Sequence, residues 1–298
     1  MNKPNAFCEG LESMNRMSRD LAKAGTLMSV QEVRFLVKSY YARQEERMRE
    51  GRRAKALSAS NTPNNVIDWL SDQSEVLEKQ IARAIEKYIQ VHPLWNLFLE
   101  EVYGIGPIIS AGLLSTIDIT RAPTVGHIWS YAGLDPKVVW LPGEERPWNG
   151  LLKTVCWKAG QSFMKFASNK KCVYGHIYHR RKTFELERND SGRNKDLAVS
   201  ELTKKKYGKD TDAYLYTSGN WVNEPRLNPQ LKKNEVLPLF PKLPPAQIDA
   251  RARRYAVKQF LADLHYFWYR YHFKTEPPKP YPIAILGHAH YRQPGTEG

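Results

Sequence analysis

Apolar residues recur at intervals of three and four along most of this chain, which is the spacing of one face of an α-helix. The pattern holds between residues 30 and 48 and between 66 and 88, and it returns at Val257, Leu261 and Leu264. No alternating run is long enough to require a large sheet, and no segment repeats. The sequence therefore predicts a mostly α fold.

The charge balance points to an anionic partner. The 298 residues include 45 Lys+Arg against 31 Asp+Glu, which gives a net charge of +14 and a pI of about 9.6. Such a basic balance favours partners that carry phosphates, so nucleic acid is the leading partner class. The sequence shows neither an apolar stretch of membrane-spanning length nor the apolar core of a signal peptide. It predicts a cytoplasmic protein with no membrane partner, nucleoid-associated when bound to DNA.

The stretch "VYGIGPIISAGLL" places two glycines and a proline where a helix begins. A glycine has no Cβ, so its backbone can take φ > 0 or be approached closely, and Pro107 suits the first helical position. This spacing predicts a helix-hairpin-helix whose exposed N–H groups, at the positive end of a helix dipole, hold a phosphate. The predicted backbone contacts are Gly104, Ile105, Gly106 and Ile108. A tight turn between helices, without a ligand, is the alternative.

Most of the positive charge lies between Arg146 and Lys209. This window holds 16 Lys+Arg against 5 Asp+Glu, an excess of 11. Aromatic and basic residues alternate in it, which predicts helices whose apolar face packs inward while the basic face follows phosphates without reading bases. The predicted contacts are Lys153, Lys158, Lys165, Arg180, Arg181 and Lys182. A merely solvated basic face is the alternative.

These features divide the chain into four predicted segments. Residues 1–92 are a helical arm with coiled-coil-like or hairpin helices, and 93–188 are the helix-hairpin-helix DNA-binding domain. A basic linker or ordered insertion, 189–245, precedes a C-terminal helix and proline-rich tail at 246–298. Within the arm, the helix at 63–90 keeps its apolar stripe for about three heptads. It either packs on its own domain or pairs with a second copy or a partner protein.

Metal and disulfide chemistry is not expected. The three cysteines are Cys8, Cys156 and Cys172. They lie far apart, without the pairing of a disulfide framework or the spacing of a Cys-x-x-Cys metal site, so they are predicted to be reduced. The closely spaced histidines are His176 with His179 and His288 with His290. Their spacing could suit a metal, but basic neighbours favour a surface role for the first pair. No metal site and no cofactor are predicted.

Residues 102–136, "VYGIGPIISAGLLSTIDITRAPTVGHIWSYAGLDP", resemble the C-terminal domain of DEDD-type insertion-sequence transposases. That group includes the pilin-gene invertases and the bridge-RNA-guided recombinases. The matching elements are Gly104-Ile105-Gly106-Pro107 and Ser130-Tyr131-Ala132-Gly133-Leu134-Asp135-Pro136. A weaker resemblance reaches the preceding helix, the basic helix that follows and the helix from Arg251. It implies a mobile-element protein that binds DNA during recombination.

The chain departs from that family where the family keeps its chemistry. Family members carry a RuvC-like domain with four metal-binding carboxylates, and a nucleophilic serine soon after the Ala-Gly-Leu-x-Pro run. The first hundred residues show neither a β-rich pattern nor an Asp-x-Asp strand, and residues 137–150 contain no Ser or Thr. Strand exchange needs an attacking hydroxyl, and metal-assisted cleavage needs clustered carboxylates. We therefore expect no catalytic residues and a chain that is not itself an enzyme.

The resulting expectation is a sequence-tolerant DNA-binding protein related to the target-handling domain of such transposases. Two alternatives stay open at this point. The chain is the DNA-binding subunit of a split transposase whose RuvC-like chain is separate, or it is an architectural component of a nucleoprotein assembly. RNA also stays open as the polymer, because backbone contacts serve both nucleic acids.

We expect the purified chain neither to nick nor to join a supercoiled plasmid in Mg²⁺ or Mn²⁺. The physical reason is the lack of a hydroxyl nucleophile in residues 137–150, together with the missing carboxylate pattern. Gel separation of the plasmid topoisomers measures this. Metal-dependent nicking that persists through repurification would contradict the expectation.

Overall fold

The structure, a computed structural model, describes residues 23–59, 65–136, 138–141, 143–228 and 240–278. These residues are mostly helical and include no strand, so the mostly α prediction is confirmed. Cys8, the second histidine pair and most of the proline-rich tail lie outside them.

The α-helices of the described residues are numbered in chain order. They are α1 (Val30–Ala59), α2 (Asn65–Gln90), α3 (Pro93–Leu97), α4 (Pro107–Thr116), α5 (Val125–Tyr131), α6 (Gly150–Lys165), α7 (Val173–Asp190), α8 (Lys195–Lys205), α9 (Asp212–Ser218) and α10 (Pro245–Phe273). Short 3-10 turns lie at Leu99–Glu101, Ile119–Arg121 and Asn220–Asn223.

The described residues form two compact units. The first comprises the residues up to 159 and those from 261, and the second comprises 160–260. The segment 189–245, predicted as a linker or an insertion, contains α8 and α9. Ala198 of α8 is buried with Leu243 and Ile248. The described part of this segment is therefore ordered.

Helices α1 and α2 pack together in the first unit, as expected for a helical hairpin. Helix α1 begins at a capping box, in which Ser29 Oγ accepts from the Glu32 N–H at 3.3 Å and the Ser29 N–H donates to Glu32 Oε2 at 2.7 Å. Between the helices, Arg47 Nε donates to the nearly buried carboxylate of Glu78 at 2.7 Å. The two helices are thus joined by polar as well as apolar contacts.

The apolar stripe of helix α2 is buried over only part of the helix. Ile81 and Ile85 are buried, whereas Val66, Trp69 and Leu70 near the start of the helix are exposed. The second half of α2 packs within its own unit. The exposed first half leaves an apolar face, and the predicted pairing with a second copy or a partner protein stays a prediction.

Helix α4 is the central helix of the first unit. Residues 110–116 are all buried, and the helix packs against both α1 and α2. Gly112 faces α6 so closely that a Cβ there would lie 2.6 Å from Val155 Cγ2. At the other end, Arg34 of α1 donates from Nε to the Ser115 carbonyl at 2.8 Å. A cation at this negative end of the helix dipole stabilises it.

The two glycines at 112 and 51 allow a matched test of this packing. Both lie inside helices, so replacement by alanine brings the same gain in helix propensity, about 1 kcal/mol. At Gly112 the added methyl overlaps Val155, whose branched side chain has little rotamer freedom, whereas nothing lies within 4 Å of a Cβ at Gly51. We expect the free energy of unfolding of Gly112→Ala to fall below that of Gly51→Ala by about 1–3 kcal/mol. Urea denaturation measures both; equal values would contradict the close packing of α4 on α6.

Candidate nucleic-acid interface

The Gly-Ile-Gly turn joins the 3-10 turn at Leu99–Glu101 to α4. Gly104 has a φ of 94°, in the left-handed region that favours glycine. Gly106 is the N-cap of α4, with an extended backbone at φ −92° and ψ 178°. Pro107 occupies the first turn of α4, as predicted. Only the first glycine therefore needs a positive φ.

The element before this turn is shorter than the sequence pattern suggests. The apolar run from residue 94 to 102 predicts one helix, but α3 has 5 residues and a 3-10 turn of 3 residues follows it. Phe98, with φ −156° and ψ −50°, separates the two. The partner of α4 in the turn is thus a 3-10 segment and not a full helix.

The donors at the start of α4 are fewer than predicted. The Ile105 N–H donates to the Val102 carbonyl at 3.0 Å, and the Ile105 side chain is 4% exposed. Ile105 is thus engaged within the turn, and the prediction that it offers a phosphate contact is corrected. Pro107 has no N–H, which leaves Gly106 and Ile108 among the first N–H groups, those without an intrahelical acceptor.

The space in front of α4 is open. Gly106 is exposed, no side chain caps the helix, and nothing lies within 4 Å of a Cβ placed on Gly106. A ligand could reach the backbone there without displacing protein atoms. The bare position of Gly106 gives access, and the positive φ of Gly104 turns the chain.

The run Ala132-Gly133-Leu134 closes α5. Gly133 has a φ of 65°, its N–H donates to the Ser130 carbonyl at 2.9 Å, and the Leu134 N–H donates to the Trp129 carbonyl at 2.9 Å. This is the Schellman pattern of a helix end. A Cβ on Gly133 would lie 2.8 Å from Trp148 Cγ. Gly133 therefore has two roles: it ends α5 with a positive φ, and it leaves room for the Trp148 ring.

The two predicted lysines of the first unit differ in their surroundings. Lys153 Nζ lies 3.7 Å from the centroid of the Trp148 ring. Lys158 Nζ donates to Gln44 Oε1 at 3.2 Å and lies 4.9 Å from the Tyr41 ring. Lys158 thus holds α6 to α1.

In the second unit, adjacent basic residues of α7 have different partners. Arg180 is exposed. Arg181 Nη2 contacts Glu185 Oε1 at 2.5 Å, and Lys182 Nζ contacts Asp249 Oδ1 at 3.3 Å. Lys165, at the end of α6, is exposed beside the Phe166 ring. Lys165 and Arg180 are therefore accessible cations, whereas Arg181 and Lys182 form internal ion pairs.

Glu185 explains why Arg181 is held inside. Its carboxylate is fully buried and also accepts from Arg251 Nε at 2.9 Å. Burial raises the pKa of Glu185, whereas the hydrogen bond and charge of Arg251 and the charge of Arg181 lower it. The lowering is the larger effect, so the pKa of Glu185 lies below its usual range. The carboxylate stays ionised, and it needs both guanidinium groups.

A loop after α5 carries residues to which the sequence analysis assigned no role. Trp140 is 45% exposed, and Arg146 lies over its ring at 5.1 Å. Beside them is a pocket of about 330 Å³ whose lining includes Arg121, His127 and Tyr131. The clustering of two tryptophans and an arginine within residues 140–148 is the sequence signal that could have indicated this surface.

Thiol and metal chemistry finds little support in the described part of the chain. Cys156 and Cys172 are buried and reduced. Burial raises the pKa of Cys156 to about 12 and also raises the pKa of Cys172. Among the described residues, no three His, Cys, Asp or Glu side chains are placed to hold a metal ion. None of the described helices is long and apolar enough to cross a membrane.

Comparison with known proteins gives one match. No curated protein and no solved structure matches the chain. Residues 96–140 match the model of the transposase IS116/IS110/IS902 family. The matched residues include the Gly-Ile-Gly turn, α4 and the end of α5 at Gly133. This segment is therefore similar to the transposases of the IS116/IS110/IS902 family.

Proposed function

We propose that the chain binds DNA through the phosphate backbone without reading bases, in a role related to target handling by transposases. The observation that carries this proposal is the open, uncapped start of α4 at Gly106, inside the segment related to transposases. The N–H groups of Gly106 and Ile108 lie at the positive end of the α4 dipole, where an anion is stabilised. A phosphate oxygen is the anion that DNA supplies there.

The burial of α4 supports this role because it makes the donors rigid. Residues 110–116 are buried, and Arg34 holds the far end of the helix at the Ser115 carbonyl. A phosphate that binds at Gly106 therefore orders little additional chain, and less of the interaction energy is lost to entropy.

The side-chain part of the contact is smaller than the six basic residues predicted. We infer that Lys153, Lys165 and Arg180 contact phosphates, while Lys158, Arg181 and Lys182 hold the fold through internal partners. Each phosphate contact releases counterions, so affinity falls as salt rises. Each unit is thus proposed to contact phosphates through its own cations, Lys153 in the first unit and Lys165 and Arg180 in the second, without base specificity.

The proposed role is binding without bond cleavage. The loop after the Ala-Gly-Leu run offers no Ser or Thr up to residue 150, and any strand cleavage would then belong to a separate chain. The exposed apolar start of α2, with Val66, Trp69 and Leu70, supports association with a second copy or with such a partner.

Gly106→Val tests the backbone contact with little risk to the fold. Valine adopts the extended backbone of Gly106, and its Cβ meets open space, so we expect the free energy of unfolding to fall by about 1 kcal/mol or less. The branched side chain occupies the place of the phosphate, and duplex affinity is expected to fall about tenfold on every sequence alike. Fluorescence anisotropy with two unrelated duplexes measures this.

Gly106→Ala is the graded control, with a smaller side chain and a smaller expected loss. Full duplex affinity of a folded Gly106→Val protein would show that the turn is only a structural corner. Loss on one duplex and not on the other would contradict backbone recognition.

Arg180 and Arg181 form a matched pair for the side-chain contacts. Arg180→Gln removes an exposed cation, so the slope of log affinity against log salt is expected to become shallower by about 1, with stability unchanged. Arg181→Gln leaves the buried Glu185 with only one of its two guanidinium partners and is expected to lower the free energy of unfolding by about 1–3 kcal/mol. Salt titrations and thermal unfolding of both variants measure this; the reverse pattern would refute the assignment of roles.

A further inference from the structure

The loop after α5 and the adjoining ends of α5 and α6 present an aromatic and cationic surface. We call it the tryptophan surface, and its residues are Tyr131, Trp140, Arg146, Trp148 and Lys153. Tyr131 and Trp140 are 46% and 45% exposed, and the neighbouring Val139 and Leu141 are more exposed still. Large aromatic rings grouped in solvent in this way indicate a binding surface.

Each indole of this surface has its own cation. Trp140 and Trp148 meet edge to face, with ring centroids 6.2 Å apart. Arg146 Cζ lies 5.1 Å from the Trp140 centroid, and Lys153 Nζ lies 3.7 Å from the Trp148 centroid. Aromatic faces beside positive charge match a polymer that alternates flat rings with phosphates.

Hydrogen bonds hold the rings in place before any ligand arrives. Trp140 Nε1 donates to the Glu144 carbonyl at 2.8 Å. Asn149 donates from Nδ2 to the Tyr131 hydroxyl and from its N–H to the Tyr131 carbonyl, both at 2.9 Å. Trp148 rests on Gly133, where even a Cβ would overlap it. The surface is therefore preorganised, and Trp148 has a structural role while Trp140 is the accessible ring.

The pocket of about 330 Å³ adjoins this surface through Tyr131 and Pro147. Apolar Ile117 and Ile128 line it together with the polar side chains of Arg121 and His127. A mostly apolar recess with polar groups in its lining suits one flat heterocycle. The space beside the tryptophan surface thus offers a place for a base that has left its stack.

Acidic side chains near the tryptophan surface repel phosphates and so limit the path of a nucleic-acid backbone. Glu144 and Glu145 are exposed in the same loop, and Asp118 lines the pocket. Hydrogen bonds from Thr120 lower the pKa of Asp118, so this carboxylate is charged at neutral pH. The cations on the tryptophan surface itself are Arg146 and Lys153.

We propose that the tryptophan surface binds single-stranded DNA, with an unpaired base stacked on Trp140 and the flanking phosphates near Arg146 and Lys153. In a duplex the base faces are covered by their neighbours, so only unpaired nucleotides can use an indole in this way. DNA is the polymer because the inference rests on the proposed function. It adds a second class of contact, to bases and not to the duplex backbone.

Trp140→Ala in the full chain is the test. Binding of a labelled oligothymidylate of about 15 nucleotides is expected to weaken by about tenfold, since stacking of one base is lost. Binding of a duplex of the same length is expected to change less than about twofold. Phe35→Ala is the matched control, because Phe35 is also an exposed aromatic residue, at 67%, but lies on α1, and it should leave oligothymidylate binding unchanged.

The outcomes separate this inference from the proposed function. Unchanged oligothymidylate affinity overturns the tryptophan surface even if duplex binding stands, whereas loss of duplex binding in Gly106→Val alone concerns only α4. An effect on oligouridylate without one on oligothymidylate assigns the surface to RNA and overturns the proposal. A change of oligomeric state by sedimentation, with oligothymidylate binding intact, overturns it in favour of a second copy of the chain.

Trp140→Phe keeps the test decisive should the alanine variant unfold. Phenylalanine retains an aromatic face, so binding should weaken less than with alanine, while the part of the fluorescence quenching by oligothymidylate that comes from Trp140 disappears. Quenching identical to the parent protein would show that no base approaches Trp140, and this would overturn the proposal.

Discussion

The close contact between α4 and α6 is the constraint on which the candidate interface depends. Gly112 leaves no room for even a Cβ against Val155, and seven consecutive residues of α4 are buried from 110 to 116. A helix enclosed in this way cannot shift or rotate without opening the core. Its start at Gly106, and the turn that leads to it, are therefore fixed in position. The rigidity of the proposed phosphate contact follows from packing at the other end of the same helix.

Positive charge alone does not identify the residues that are proposed to contact DNA. The chain has an excess of 14 positive charges, yet several of its cations neutralise buried carboxylates. Glu185 forms ion pairs with both Arg181 and Arg251, and Glu78 forms one with Arg47. Because a buried carboxylate left unpaired is strongly destabilising, these cations are committed to the fold. The cations available to a ligand are the ones without such a partner, and Arg180 next to Arg181 shows how local the distinction is.

The sequence predicted what neighbouring residues determine and missed what distant residues determine. Helix periodicity, Pro107 in the first turn of α4 and the family relation at the Gly-Ile-Gly turn are local and were predictable. Arg251 meets Glu185 from 66 positions away, and Lys158 meets Gln44 from 114 positions away. No pattern in a single sequence reports such pairs. The hydrogen bond from the Ile105 N–H to the Val102 carbonyl was also missed. An isoleucine side chain does not determine the direction of its own backbone N–H, so the residue type gave no signal.

The tryptophan surface lies where the family resemblance leads one to expect a nucleophilic serine. Gly133 accommodates Trp148, and a hydrogen bond from Trp140 to the Glu144 carbonyl fixes Trp140, so local contacts hold both rings in place. Within one compact unit, the start of α4 is suited to a phosphate backbone and the loop to an unpaired base. The two proposed contacts together favour DNA in which duplex and single strand occur together over DNA of either kind alone.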